Sequence, residues 1–245
     1  MRQINLKLFA VSLASSRYCA LHISSRSGSF YRHSSHGYPM NANTSTDQIT
    51  SAEPVAHHHA AQHGNPAVVG LAGFGMTTIL LQFHNVGWAS LGPVIWTGLI
   101  FGGLAQLIAG LHEGRIGNNF GYTAFTSYGC FWIALCLIQI GHATGIFPIS
   151  HTDLGWFLVI WAIYTAIMTP GAMRASTGLG LVFITLLIGF ILLVAGHFGP
   201  AIFNVIAGYE LMLCGALALY VMAHTIYKDA FGRDVLPVGK PMIGE

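Results

Sequence analysis

Charge is what this sequence has least of. Its 245 residues include 10 Lys or Arg and 8 Asp or Glu, 7% in all, against about a quarter in a soluble domain. The formal net charge is +2 and no dense Lys/Arg cluster occurs, which excludes a phosphate-gripping face and with it a nucleic-acid partner. Cysteine is sparse too. Cys19, Cys130, Cys136 and Cys214 form no CxxC pair, and the last three, set in apolar runs, read as small packing residues. Enzyme motifs are also missing: His112-Glu113 lacks the second His of an HExxH zinc site, and no GxSxG nucleophile elbow occurs. The sequence therefore predicts no enzyme, no metal site and no cofactor.

What is abundant is apolar. Hydrophobic residues make up 53% of the chain and the mean hydropathy is +0.61, the composition of a membrane protein. It changes sharply near residue 65. Residues 1–64 are rich in Ser, His, Ala and Thr and read as a disordered extension. Residues 1–46 hold Arg2, Lys7, Arg17, Arg26 and Arg32 and no acid, the pattern of a targeting peptide; alternatively, Met40 is the start and residues 1–39 are an over-long reading. His57, His58, His59 and His63 cluster in this head. His59 and His63 have metal-gripping spacing on a helix, but nothing completes a ligand set, so adventitious affinity is the expectation.

From residue 65 the apolar runs repeat, and six spans are predicted at 67–85, 93–111, 121–141, 154–171, 178–197 and 201–225, each near the roughly 20 residues a bilayer core requires. The fold expected is an all-α polytopic membrane protein, with a transport domain over 65–227 and a tail over 228–245. Arg115, Arg174, Lys228, Arg233 and Lys240 fall on one side of these spans, and the opposite loops carry no Lys or Arg. Both termini are therefore predicted to be cytoplasmic, in the inner or plasma membrane. Trp88, Trp96, Trp132 and Trp156 fall where interfacial anchors would.

Lipid contact does not explain the rest of the spans. Gly98, Gly102, Gln106 and Gly110 recur every four residues in span 2; small residues at that spacing let helices approach closely. Gln106 lies deep in an apolar run, so it must bond to another helix or line a wet path. With Thr77, Thr78, Thr123, Thr126, Ser127 and Tyr128 it makes a neutral hydrogen-bonding set, joined by Phe74 among the glycines of span 1. Such a set suits a small anion or a small neutral solute, since a cation path would show carboxylates. Asn65-Pro66 is a strong helix start, whose free N–H groups either merely begin span 1 or attract an anion at the cytoplasmic mouth. Glu113 and Arg115 read as a rim loop. Glu210, alone charged inside the spans, is the candidate for proton coupling, with His84, His142, His151 and His197 near the same outer face.

These segments resemble a known family. "NPAVVGL" (65–71), "GFGMTTILLQFHNVG" (73–87), "GGLAQLIAGLHEGRIGNNFGYTAFTSYGCFW" (102–132) and "FGRDVLPVG" (231–239) are similar, in order and spacing, to the acetate uptake transporter family of SatP-like succinate–acetate transporters. Val68-Val69 departs from the family's usual Pro-Leu, and the head has no counterpart in short bacterial members. The resemblance implies six helices around a narrow pore in each subunit of a homohexameric ring. It also implies passage of acetate and related monocarboxylates, succinate in some members, either coupled to protons or channel-like. By motif, Phe74 and Tyr128 would form an aromatic constriction, Gln106 would sit on the substrate path and Asn65 at its cytoplasmic side. An aromatic collar would accept the methyl of acetate while Tyr128 and nearby amides hold the carboxylate. An aquaporin would need a second Asn-Pro-Ala box, and Asn204 is followed by Val205-Ile206. A pore for neutral acetic acid or ammonia stays open as the alternative.

Overall fold

The structure, a computed structural model, describes residues 64–244. The expectations for the head, its start and its histidine cluster lie outside the described residues. Among the described residues there are six long apolar helices and no strand: α1 Pro66–Asn85, α2 Leu91–Arg115, α3 Asn119–Ala143, α4 His151–Ala175, α5 Thr177–Phe198 and α6 Ile202–Phe231. The six predicted spans are present, but most run longer. Periodic hydropathy locates a helix's apolar centre, whereas local caps set its ends.

Those caps are readable residue by residue. The Asn65 side chain accepts the Ala67 N–H at 3.0 Å and Pro66 opens α1. Ser150 and Asp153 form a reciprocal capping box that begins α4 three residues before the apolar run. A single extended residue, Ser176, separates α4 from α5 and caps α5 by accepting from the Leu179 N–H at 3.1 Å. Gly232, at φ +65°, ends α6, a left-handed turn that any side chain would strain.

In a bilayer the helices gain little by hiding apolar surface from one another, so close backbone approach decides which helices pair. Gly75 of α1 and Gly215 of α6 each face the other's carbonyl, where an added Cβ would lie 2.8 Å from the oxygen. Gly110 of α2 lies against the Thr126 backbone, and Gly129 of α3 against Leu107 and Gly103. α1 thus packs on α2 and α6, α2 on α3, and α5 on α4 and α6. The α3–α4 gap is bridged by rings: Phe131 stacks on Phe157 with centroids 5.6 Å apart, and Tyr128 meets Trp161 and Tyr164 at 5.9 and 5.6 Å. The six helices close into a ring.

Four features depart from the sequence expectations. Trp132 is not an interfacial anchor but 2% exposed, lying against Gly98, whereas Trp88, Trp96 and Trp156 are more than 60% exposed. Cys130 is exposed, while Cys136 and Cys214 are buried. Glu113 is not in a loop: it lies in α2, 1% exposed, with Oε2 accepting from Asn118 at 2.6 Å. The segment after α6 is not a free tail. The Gly178 N–H donates to the Val238 carbonyl at 2.7 Å, the Met242 N–H to Met173 at 2.8 Å, and the Thr177 hydroxyl to Lys240 at 2.6 Å. Backbone bonds of this kind carry no hydropathy signal, so the strap was invisible to periodicity.

Candidate functional site

Three cavities follow one another along the inside of the ring. The first, about 160 Å³, begins among Ala67, Asn118, Ser176 and Thr225, at the end of the bundle where α1 starts, and reaches Phe74, Gln106, Tyr128 and Leu186. The second, about 30 Å³, lies between Phe74, Thr78, Gln82, Tyr128, Leu186 and Phe190. The third, about 360 Å³, opens among Leu81, Phe131 and Leu193 and ends at Asn85, Gln139, His197 and Asn204. Phe74, Tyr128 and Leu186 line both the first and the second; Leu81, Phe131 and Leu193 line both the second and the third. A water needs about 10–15 Å³ on this measure, so the middle cavity is the tight place.

The sequence-predicted residues divide around this path. Phe74 and Tyr128 meet with ring centroids 6.0 Å apart, interplanar angle 57°. Gln106 is fully buried, lines the first cavity, and neither amide atom bonds to protein. Thr78 lines the middle cavity with its hydroxyl unpartnered. Thr77, equally buried, turns instead onto Gly102 of α2. Thr126 donates to the Tyr122 carbonyl at 2.6 Å and packs on Gly110, and the Thr123 carbonyl accepts from the Tyr164 hydroxyl at 3.1 Å. These three, with half-buried Ser127, line none of the cavities described. Asn65 is exposed at the start of α1, two residues before Ala67, where the lining of the first cavity begins. Glu210 faces Gly189 of α5, with both carboxylate oxygens buried and unpartnered, away from all three cavities.

Sequence reasoning missed the groups that hold Tyr128. Its hydroxyl lies 2.8 Å from the Thr165 Oγ1. Thr165 spends its one proton on the Trp161 carbonyl, 2.7 Å away, so Tyr128 must be the donor. The Tyr128 O–H is thus committed within the protein, whereas a role in holding carboxylate would need it free. Thr165 and Thr169 stand one helical turn apart in an apolar span, a signal that was available. The region around Gln106 was also misjudged. Gly98–Ala105 is π-helical, not α-helical, a widened turn that recurs at functional sites and that composition does not announce.

Six apolar helices closed around a file of small cavities define a membrane transport protein. The chain belongs to the GPR1/FUN34/yaaH family, whose model matches residues 48–233. The succinate-acetate/proton symporter SatP of Escherichia coli (strain K12) is 42% identical over 179 residues, 72% of this chain and 95% of that protein. Acetate permease A of Emericella nidulans is 36% identical over 151 residues, 56% of this chain and 51% of that one. The solved structure of the bacterial acetate channel SatP matches with a TM-score of 0.71 at 42% identity, covering 73% of this chain and 100% of the other.

Proposed function

We propose that this protein carries acetate and related small carboxylates, succinate among them, across the cell membrane along the file of three cavities. Movement is coupled to protons, both termini lie in the cytoplasm, and each subunit of a homohexamer holds its own path. The observation that carries this reading is the alignment of two wider cavities through the narrow space at Phe74, Thr78, Tyr128 and Leu186. That space is lined by rings, leucines, the Thr78 hydroxyl and the Gln82 amide, with no ionised group. An aromatic collar accepts the methyl end of acetate, while Gln106 offers an unengaged amide to the carboxylate just before it. The free N–H groups at the start of α1 add positive potential at the cytoplasmic mouth beside Asn65.

A channel reading has its own support. No Asp or Glu lines any of the three cavities, so no carboxylate stands in line to carry a proton with the substrate. The solved relative is itself described as a channel. Labelled-acetate uptake into proteoliposomes separates the two, with and without an inward proton gradient at matched membrane potential and against protein-free vesicles. Protein-dependent accumulation above equilibrium establishes coupling. Fast equilibration that only follows the electrochemical gradient of acetate establishes a channel, and uptake no faster than in bare vesicles overturns both.

A further inference from the structure

The widest cavity is also the one whose charge can change. Its walls carry the side chains of His84, Asn85, Gln139, His197 and Asn204 and no Asp, Glu, Lys or Arg. The His197 Nδ1 lies 3.0 Å from the Leu193 carbonyl and the His84 Nδ1 lies 3.1 Å from the Ala89 carbonyl. A carbonyl only accepts, so both Nδ1 atoms hold their protons and Nε2 is the remaining basic nitrogen of each ring. Against His197 lies a second imidazole. His151 of α4 stacks on it, centroids 4.2 Å apart and planes within 10°, and its own Nδ1 lies 3.1 Å from the His197 carbonyl.

The surroundings leave these rings to decide the local charge. On α1 His84 is the one ionisable side chain, and Gln139 of α3 is neutral. The His142 ring, at the end of α3, accepts from the Ile149 N–H. On α4, Asp153 is the single acid near His151, and its carboxylate is already engaged by the N–H and hydroxyl of Ser150 at 2.8 and 2.7 Å. On α6, Glu210 faces Gly189, and Asn204 reaches α5 with its Oδ1 beside Gly196 and its side chain in hydrogen-bonding contact with the His197 ring. Arg115, Arg174, Lys228, Arg233 and Lys240 all belong to the opposite end of the bundle or the segment strapped to it.

We infer that the third cavity is an outer carboxylate-binding antechamber whose affinity is set by protonation of His197 at Nε2. This rests on the transport reading above. Protonated His197 supplies a charge-assisted donor to the incoming carboxylate, and Asn85 and Gln139 supply neutral ones. His151 tunes the switch. Two imidazolium rings stacked this closely repel, so a charge on His151 opposes one on His197. External acid thereby raises carboxylate capture on the outer side.

The test is equilibrium dialysis of labelled acetate against the full chain in detergent from pH 5.5 to 7.5, paired with proteoliposome flux under external titration. Affinity of the unaltered protein should fall severalfold as pH rises over that range, as imidazolium charge is lost. His197→Gln should hold the high-pH affinity throughout. His151→Phe preserves the stack without a second charge, and should move the midpoint to higher pH. Affinity independent of pH in the unaltered protein, or a pH profile retained in His197→Gln, overturns the inference; so does a profile lost only in His84→Gln. Because binding is read separately from flux, acetate that binds without crossing would instead overturn the transport reading.

Discussion

Gln106 shows how far a single residue constrains function. A fully buried amide with neither atom bonded to protein costs about 1–3 kcal/mol relative to a satisfied one, and an apolar residue of similar size would avoid that cost. Gln106→Leu should therefore raise or maintain thermal stability in detergent while acetate flux falls about tenfold or more, the loss of a charge-assisted contact. Unchanged flux would remove Gln106 from the path. Tyr128 gives the reverse case, because its O–H is committed to Thr165. Tyr128→Phe keeps the ring and should hold flux within about threefold; Thr165→Val strands the Tyr128 donor and should lower stability by about 1–3 kcal/mol, read by thermal unfolding. Glu210 turns to Gly189 rather than to any cavity, so in uptake assays Glu210→Gln should leave the pH profile of transport in place. A flattened profile would return Glu210 to the coupling role its charge first suggested.

At the scale of elements, legibility depended on what kind of signal fixed each feature. Six apolar runs located six helices because a bilayer demands length and hydropathy from each one separately. Gln106 announced itself as polarity out of place, and the Phe74–Tyr128 pairing came through a resemblance in motif. Features fixed by pairwise geometry did not show. The π-helical turn over Gly98–Ala105, the Thr165 anchor, the His151–His197 stack and the strap over α4 and α5 each depend on which residues face one another across the ring. Four-residue glycine spacing reported close packing without saying against what. The structure supplies it: a Cβ on Gly129 would lie 2.7 Å from the Leu107 nitrogen and 2.9 Å from the Gly103 carbonyl oxygen, both backbone atoms. A rotamer change cannot relieve that. Gly129→Ala should separate α2 from α3 and cost about 1–3 kcal/mol, read as a lower unfolding temperature with reduced flux, since Gln106 and Tyr128 stand on those two helices.

Among the described residues the two ends of the bundle differ in charge. Arg115 and Arg174 lie at the end where α1 begins, with Lys228 in the last turn of α6, paired to Asp234 at 2.9 Å, and Arg233 and Lys240 on the segment that folds back across it, a positive rim facing the cytoplasm under the proposed topology. The opposite end carries the imidazoles of His84, His142, His151 and His197 and, among the described residues, no Lys or Arg. An anion leaving the cytoplasm would meet a fixed attraction, whereas one arriving from outside would meet an attraction that grows as the medium acidifies. The two sides should therefore answer acid differently. In proteoliposomes of known orientation, external acidification at constant internal pH should lower the half-saturating acetate concentration, counted as anion, severalfold between pH 7.5 and 5.5. Internal acidification over the same range should change half-saturation from that side by less than about twofold, because the Lys and Arg charges there do not titrate and His112 and His224, the histidines at that end, line none of the three cavities. A C-terminal reporter that is protease-sensitive only from the cytoplasmic side fixes which face is which. Equal responses on both faces would mean that the protonated form of the substrate itself, and not the histidine-bearing cavity, carries the pH dependence.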